Sequence, residues 1–209
     1  FPFSLEKQRG KGMTEGAIYK KIVRRGITLV FLGLVYNGLL SFEFDYLRCA
    51  SVLARIGLGW MFADLLFVRF GWKARAGITA LILVGYWLVL AFVPVPDAGG
   101  AGPFTLEGNL VGHIDRLFLR GRLHETVFDP EGLFSTVPAI ATAMLGMFTG
   151  EWIKIGKEGL TDRKKVLCLV GAGAVLLIVG LLWSLVFPVN KKLWTSSFVC
   201  VVGAYSVWM

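Results

Sequence analysis

Residues 166–187 read VLCLVGAGAVLLIVGLLWSLVF, an unbroken stretch without a single charged side chain. A helix needs about 20 such residues to cross about 30 Å of hydrocarbon. Arg163, Lys164 and Lys165 stand just before the stretch and Pro188 just after it, so the run has marked ends. It is rich in Leu, Val, Gly and Ala and shows no two-residue alternation, which favours a helix over a barrel strand. Five further runs share this character, at about 26–42, 49–68, 76–95, 130–153 and 193–209. The predicted fold is all-α: a polytopic transmembrane helix bundle with about six membrane segments in a single domain, 1–209.

Composition agrees. Of 209 residues, 56% are hydrophobic and only 17% charged, and mean hydropathy is +0.67. A soluble domain is about a quarter charged. The balance excludes a disordered chain and argues against an ordinary soluble enzyme. The net charge of +8 does not point to nucleic acid, because the cations are clustered between apolar runs rather than spread as one stripe on a polar domain. Cys49, Cys168 and Cys200 lie far apart, with neither metal-ligand spacing nor a disulfide framework.

The cations also set an orientation. Lys7, Arg9, Lys11, Lys20, Lys21, Arg24, Arg25, Arg69, Lys73, Arg75, Lys154, Lys157, Arg163, Lys164 and Lys165 occupy one set of loops. The alternate loops hold only Arg48, Arg116, Arg120, Arg122, Lys191 and Lys192. The richer set is expected in the cytoplasm. The long loop 96–129 is then external. Within it Leu110, Ile114, Leu117 and Phe118 recur at helical spacing, which predicts a short amphipathic helix at the membrane surface. Asp129 is expected to cap the next helix, with Pro130 at its first position and Glu131 in its first turn. Pro138 is expected to kink that helix, and Gly146 and Gly150 to form a close helix contact. The chain opens Phe1-Pro2-Phe3-Ser4-Leu5 without an initiator Met and stops inside an apolar run. We expect an internal piece of a longer polytopic protein.

Few residues carry chemistry. Arg55 sits about two turns inside an apolar run, where a charge costs a few kcal/mol unless paired or solvated. It is either an anion or substrate contact in a cavity, or a member of a structural ion pair or a snorkelling side chain. Asp64, nine positions on, faces roughly the opposite side of the same helix, and a solvated interface would account for it. His113, Asp115, Arg116, His124, Glu125, Asp129 and Glu131 crowd the long loop and offer acid–base groups or simple solvated polarity. No metal motif, phosphate loop, nucleophile elbow or dinucleotide fingerprint occurs. Lys20, Lys21, Arg24 and Arg25 could meet phosphates or anionic lipid. Asn190, Lys191 and Lys192 with Trp194 form a short basic turn able to hold an anionic or sugar-like ligand.

Several of these stretches are familiar. Phe128-Asp129-Pro130-Glu131-Gly132 resembles the (Y/F)DPEG segment of the heparan-α-glucosaminide N-acetyltransferase family and its bacterial relatives. Asn190-Lys191-Lys192-Leu193-Trp194-Thr195-Ser196-Ser197-Phe198 resembles that family's N-K-x-L-W-(S/T)-x-S-(F/Y). His113-Ile114-Asp115-Arg116 and Val52-Leu53-Ala54-Arg55-Ile56-Gly57 resemble two more of its motifs, with Ala54 where Gln is usual, and residues 22–38 resemble its basic helix start. The motifs keep the family's order over nearly the whole chain.

The resemblance implies acetyl transfer from acetyl-CoA, without a metal, to the amino group of a glucosamine-type sugar across the membrane. Arg55, Asp115, Arg116, Asp129, Glu131, Asn190 and Lys191 would face the substrate, and Arg24 and Arg25 the acetyl-CoA. The family's catalytic histidine would precede Phe1, so this stretch alone is expected to be inactive. The implied setting is a bacterial inner membrane. Membrane lipid, acetyl-CoA, an amino sugar or sugar chain and a second copy in a homodimer are the partners. A transporter of small polar solutes and a purely structural membrane protein are the competing readings.

Overall fold

The computed structural model describes residues 1–96, 99–119, 121–155 and 161–209. Arg120, Lys157 and positions 97–98 of the long loop lie outside the described residues. All regular structure among the described residues is helical. In order the helices are α1 (Pro2–Gly10), α2 (Glu15–Tyr36), α3 (Val52–Arg69), α4 (Trp72–Phe92), α5 (Leu110–Phe118), α6 (Thr136–Ile155), α7 (Asp162–Ser184) and α8 (Ser196–Trp208). A 3-10 turn, Leu39–Ser41, follows α2. Of these, α4 with 21 residues and α7 with 23 are long and apolar enough to cross a membrane.

The first apolar run does not coincide with its helix. Thr14 caps α2, its side chain accepting from the Ala17 N–H at 3.3 Å, and Glu15 follows in the first turn. The basic stretch 20–25 is therefore helical. Ile18, Ile22 and Gly26 form its buried face, and the charges point away from the core. The helix stops at Tyr36 because Gly38 turns left-handed, at φ 100°.

Three expectations about the fourth run need correction. Asp129 does not cap a helix, because 130–135 form turns and α6 begins only at Thr136. Pro138 consequently falls in the first turn of α6, where its missing N–H has no intrahelical partner to lose, so the sequence reason for a kink disappears. Gly146 makes no close contact and borders open space, and Gly150 meets Pro2 of α1 instead of another spanning helix. Tight approaches occur elsewhere, between α7 and α8 at Gly173 and Gly180 and between α2 and α3. A Cβ on Gly57 would stand 2.9 Å from the Gly26 carbonyl oxygen, and one on Gly26 would stand 2.7 Å from Met61 Sδ.

The packing runs α2 on α3, α3 on α6, and α6 on α4 and α8, while α7 packs chiefly on α8. One end of the bundle is cationic. There Lys154 of α6 pairs with Glu6 of α1 at 2.8 Å and Arg75 of α4 with Glu151 of α6 at 2.8 Å. The other end gathers the α2–α3 connection, α5, the turns 121–135 and the α7–α8 connection. Its core is aromatic: Tyr86, Leu90, Val111, Phe128, Phe187 and Leu193, backed by Phe104, Phe134 and Trp183. The Tyr86 hydroxyl donates to the Leu193 carbonyl at 2.7 Å, tying α4 to the loop before α8.

Candidate functional site

The polar cluster at the α5 end begins with Asn109, which caps α5 by accepting from the Gly112 N–H at 2.7 Å. Its amide nitrogen donates to the carbonyls of Thr105 and Leu106. This fixes α5 so that Asp115, one turn on, points inward with no exposure. The Asp115 carboxylate accepts the N–H of Asp129 at 3.2 Å and that of Leu133 at 3.1 Å. It therefore clamps the Asp129–Leu133 turn from beneath. Gly132 is what lets it approach, because any Cβ there would lie inside the carboxylate. Burial pushes the Asp115 carboxyl up to about 6, against the pull of its two N–H donors.

Asp129, also without exposure, is held from four sides. Arg48 Nε and Nη2 donate to its two oxygens, each at 2.6 Å. The backbone N–H groups of Glu131 and His124 add bonds of 3.0 and 3.1 Å. Burial alone would raise its pKa, but the bidentate Arg48 and these donors hold it below the ordinary carboxylate range. Arg48 Nη2 also pairs with Glu131, and these carboxylates raise the guanidinium in turn. Arg48 is itself placed by Asn37 at the end of α2, whose amide donates to the carbonyls of Arg48 and Ala50 at 2.8 and 2.7 Å.

Arg55 reaches the same turn from α3. Its Nη2 donates to the Pro130 carbonyl and to Ser135 Oγ. Its guanidinium lies 4.6 Å over the Trp194 ring, and the Trp194 indole donates to Thr142 Oγ1 at 3.1 Å. Arg55 is thus neither snorkelling nor ion-paired among the described residues. It is a buried cation met by neutral oxygens and an aromatic face. Among the described residues its Nε has no partner. A cavity of about 410 Å³ opens beside it between α3 and α6, bordered by Trp60, Asp64, Ala139, Thr142, Gly146 and Trp194.

That cavity corrects the expectation for Asp64, which is buried rather than solvated. The residues of α3 that border it, Arg55, Ile56, Gly59, Trp60 and Asp64, cover about half a helical turn at roughly 100° per residue. Arg55 and Asp64 stand at the two edges of one lining face, so residues half a turn apart still share a space.

The other expected residues divide. Asn190 organises its loop, its Oδ1 accepting from the N–H groups of Lys192 and Leu193. Its own N–H donates to Thr195 Oγ1 at 3.0 Å. Lys191 is exposed, and it is Lys192 that reaches the long loop, pairing with Glu125 at 2.7 Å. Exposed Arg116 donates to the Val127 carbonyl at 2.7 Å. Arg24 and Arg25 are exposed on α2, far along the chain from the Asp129 cluster. Arg25 lies 5.3 Å over the Trp60 ring, which also borders the cavity. Sequence reasoning passed over Asn37, Arg48 and Ser135. For Arg48 there was a signal: it is a lone cation between two apolar runs in a chain whose long loop is acidic. Among the described residues no group of three side chains is arranged to hold a metal ion.

No family model matches the chain. Among curated proteins it is similar to heparan-alpha-glucosaminide N-acetyltransferase of Mus musculus, 26% identical over 250 residues, covering 94% of this chain and 38% of that protein. The Homo sapiens protein of the same name is 26% identical over 249 residues, covering 94% of this chain and 37% of the relative. The chain thus spans less than two fifths of the length of these relatives while resembling them along nearly all of its own.

Proposed function

We propose that this chain is part of a membrane acetyltransferase that moves acetyl from acetyl-CoA to the amino group of a glucosamine-type sugar. One observation supports this above the others. Arg55, Asp115, the Asp129–Gly132 turn and Trp194 belong to four motifs scattered over the chain, and they meet at one end of the bundle around a single turn. A purely structural role for each would not require them to converge beside a cavity.

Acetyl-CoA would supply an activated thioester. The amine attacks its carbonyl, the thiolate leaves, and the ammonium so formed gives up a proton to a base. In this reading Arg24 and Arg25 attract the phosphates of the nucleotide part, and the Arg25–Trp60 contact joins that cationic surface to the cavity. Arg55 is the buried polar contact at the sugar side. Arg48, Asp115, Asp129 and Glu131 hold the turn that presents Pro130 to it, and Asn190 holds the neighbouring loop. Arg116 and Lys191, exposed on the long loop side and on the α7–α8 connection, would meet the sugar from outside. Membrane segments at α2, α3, α4, α6, α7 and α8 would place the α5 end outside.

The test is acetyl transfer by the full-length protein in proteoliposomes, with labelled acetyl-CoA on the side of the cationic end and glucosamine on the other. Formation of N-acetylglucosamine, strongly reduced by Arg55→Ala, is the expected result. Absence of product from folded protein with both substrates present overturns the reading. Sugar flux without acetylation puts the transporter in its place.

A further inference from the structure

We infer that the cavity between α3 and α6 binds a small hydroxylated ammonium compound, with Asp64 as the group that receives the ammonium. Asp64 borders this cavity, is buried to 7% exposure, and its Oδ1 has no hydrogen-bond partner among the described residues. No ion pair to it forms among the described residues; Arg25 acts on it only from a distance. A buried carboxylate oxygen left without a hydrogen bond is costly, and the cost is relieved by a cationic ligand that also hydrogen-bonds.

The other end of the cavity limits what that ligand is. Arg55 stands nine positions earlier on α3, about 13 Å along the axis, and its buried Nε is also without a partner among the described residues. A lipid tail would leave both groups unanswered. An anion would answer Arg55 and be repelled by Asp64. An ammonium compound bearing hydroxyl or ether oxygens answers both, directly if it is long enough and otherwise through water. The cation at the Arg55 end leaves Asp64 as the place for the ammonium, so the ligand enters in one orientation. Trp60, one helical turn before Asp64, supplies an aromatic neighbour suited to an ammonium or a sugar face. Gly59, Ala143 and Gly146 keep the space open. The volume, about 410 Å³, is within the usual range for small-molecule sites.

The inference rests on the proposed amino-sugar reading for its probe, and the experiment separates the two. Binding of glucosamine, glucose and N-acetylglucosamine to the full-length protein in nanodiscs is measured without acetyl-CoA. Glucosamine is expected to bind about tenfold more tightly, or better, than the two neutral sugars, as a charged hydrogen bond allows. Asp64→Asn should erase that preference, Asp64→Glu should keep most of it, and Ala143→Leu should weaken all three by filling the space. Equal binding of the three sugars, or a preference that survives Asp64→Asn, overturns the inference. Should Asp64→Asn fail to fold, the Asp64→Glu and Ala143→Leu pair decides. Acetyl transfer with an unchanged KM for glucosamine in Asp64→Asn sinks this site and leaves the transferase standing. Binding that depends on Asp64, with no acetyl transfer, does the reverse.

Discussion

Asp129 shows how much a single enclosed carboxylate depends on its partner. Its side chain has no exposure while that of Arg48 keeps 22%, so Arg48→Ala would strand a charge that solvent cannot reach. We expect a loss of about 2–4 kcal/mol, discounted for the partly exposed Arg48, read as a lower thermal midpoint in detergent. The same pair is insensitive to mild acid. The pKa of Asp129 is lowered on folding, so its stabilisation is present above the unfolded value and is lost only as pH falls through the lower folded one. Asp115 behaves oppositely. Its pKa rises on folding from 3.8 to about 6, so the folded state holds an extra proton across that window. Stability should fall as pH rises from about 4 to about 6 and level off above it. Comparing thermal midpoints of wild type and Asp115→Asn over that range checks this: the slope should vanish in the variant, and a slope that persists would assign it to another group. Asparagine keeps only one acceptor oxygen for two N–H donors, so the variant should also be less stable by about 1–2 kcal/mol at the acid end.

At the scale of elements, the α5 end is joined by side-chain to backbone bonds that cross between segments. Tyr86→Phe would remove the one from α4 to Leu193, leave a buried carbonyl short of a donor and cost about 1–2 kcal/mol. Gly132→Ala should be worse. Its Cβ would collide with the Asp115 carboxylate and displace the clamp that holds the turn, costing about 1–3 kcal/mol or more. Circular dichroism during thermal unfolding tests both, and an unaffected Gly132→Ala protein would mean the turn has another stable form. How much of this was legible follows from the kind of signal each part gives. The helices of the apolar runs were, because an uncharged stretch such as 166–187 has few other solutions in a bilayer. The start of α2 was not, because a run of Lys and Arg hides the buried Ile18, Ile22 and Gly26 stripe from a hydropathy reading. The start of α6 was misread because Asp129-Pro130-Glu131 carries every local mark of a helix entry. Those local preferences lose to tertiary ones. Arg48 and Asp115 take up the groups that would otherwise begin the helix, and Thr136 opens it instead. Arg55 was visible as a candidate because a charge stands inside an apolar run, and Asp115 and Asp129 because they lie in stretches that resemble the family's motifs. Asn37 and Ser135 were not, since a polar residue at the end of a run is ordinary until its partners are seen.

For the molecule as a whole, the two ends differ in charge as the loops do in sequence. The cationic end carries exposed Lys20, Lys21 and Arg24 on α2, and Lys73 near the start of α4. At the α5 end Arg48 pairs with Asp129 and Glu131, and Lys192 with Glu125, while Arg122 and Lys191 are exposed. Cations resist transfer across a membrane, and the end that carries most of them is the one retained inside. The cationic end should therefore face the cytoplasm. The helices between the ends are dressed for lipid or for further helices: α7 exposes Leu167, Val175, Ile178 and Leu182 and is only 11% buried over its most apolar window. Cysteine accessibility would establish the orientation. In protein with Cys49, Cys168 and Cys200 replaced, Lys11→Cys and Glu107→Cys each place one thiol at opposite ends, at positions that are exposed. A membrane-impermeant maleimide added to intact cells should modify the thiol at 107 and spare the one at 11 until the membrane is opened. The opposite pattern would invert the bundle and move the Asp129 cluster to the cytoplasmic side. A cross-membrane transfer would then need its acetyl donor and its sugar exchanged between the two ends, which the cationic patch of Arg24 and Arg25 could no longer serve. Modification of both thiols in intact cells would instead place residues 11 and 107 on one side and overturn the three crossings proposed for α2, α3 and α4.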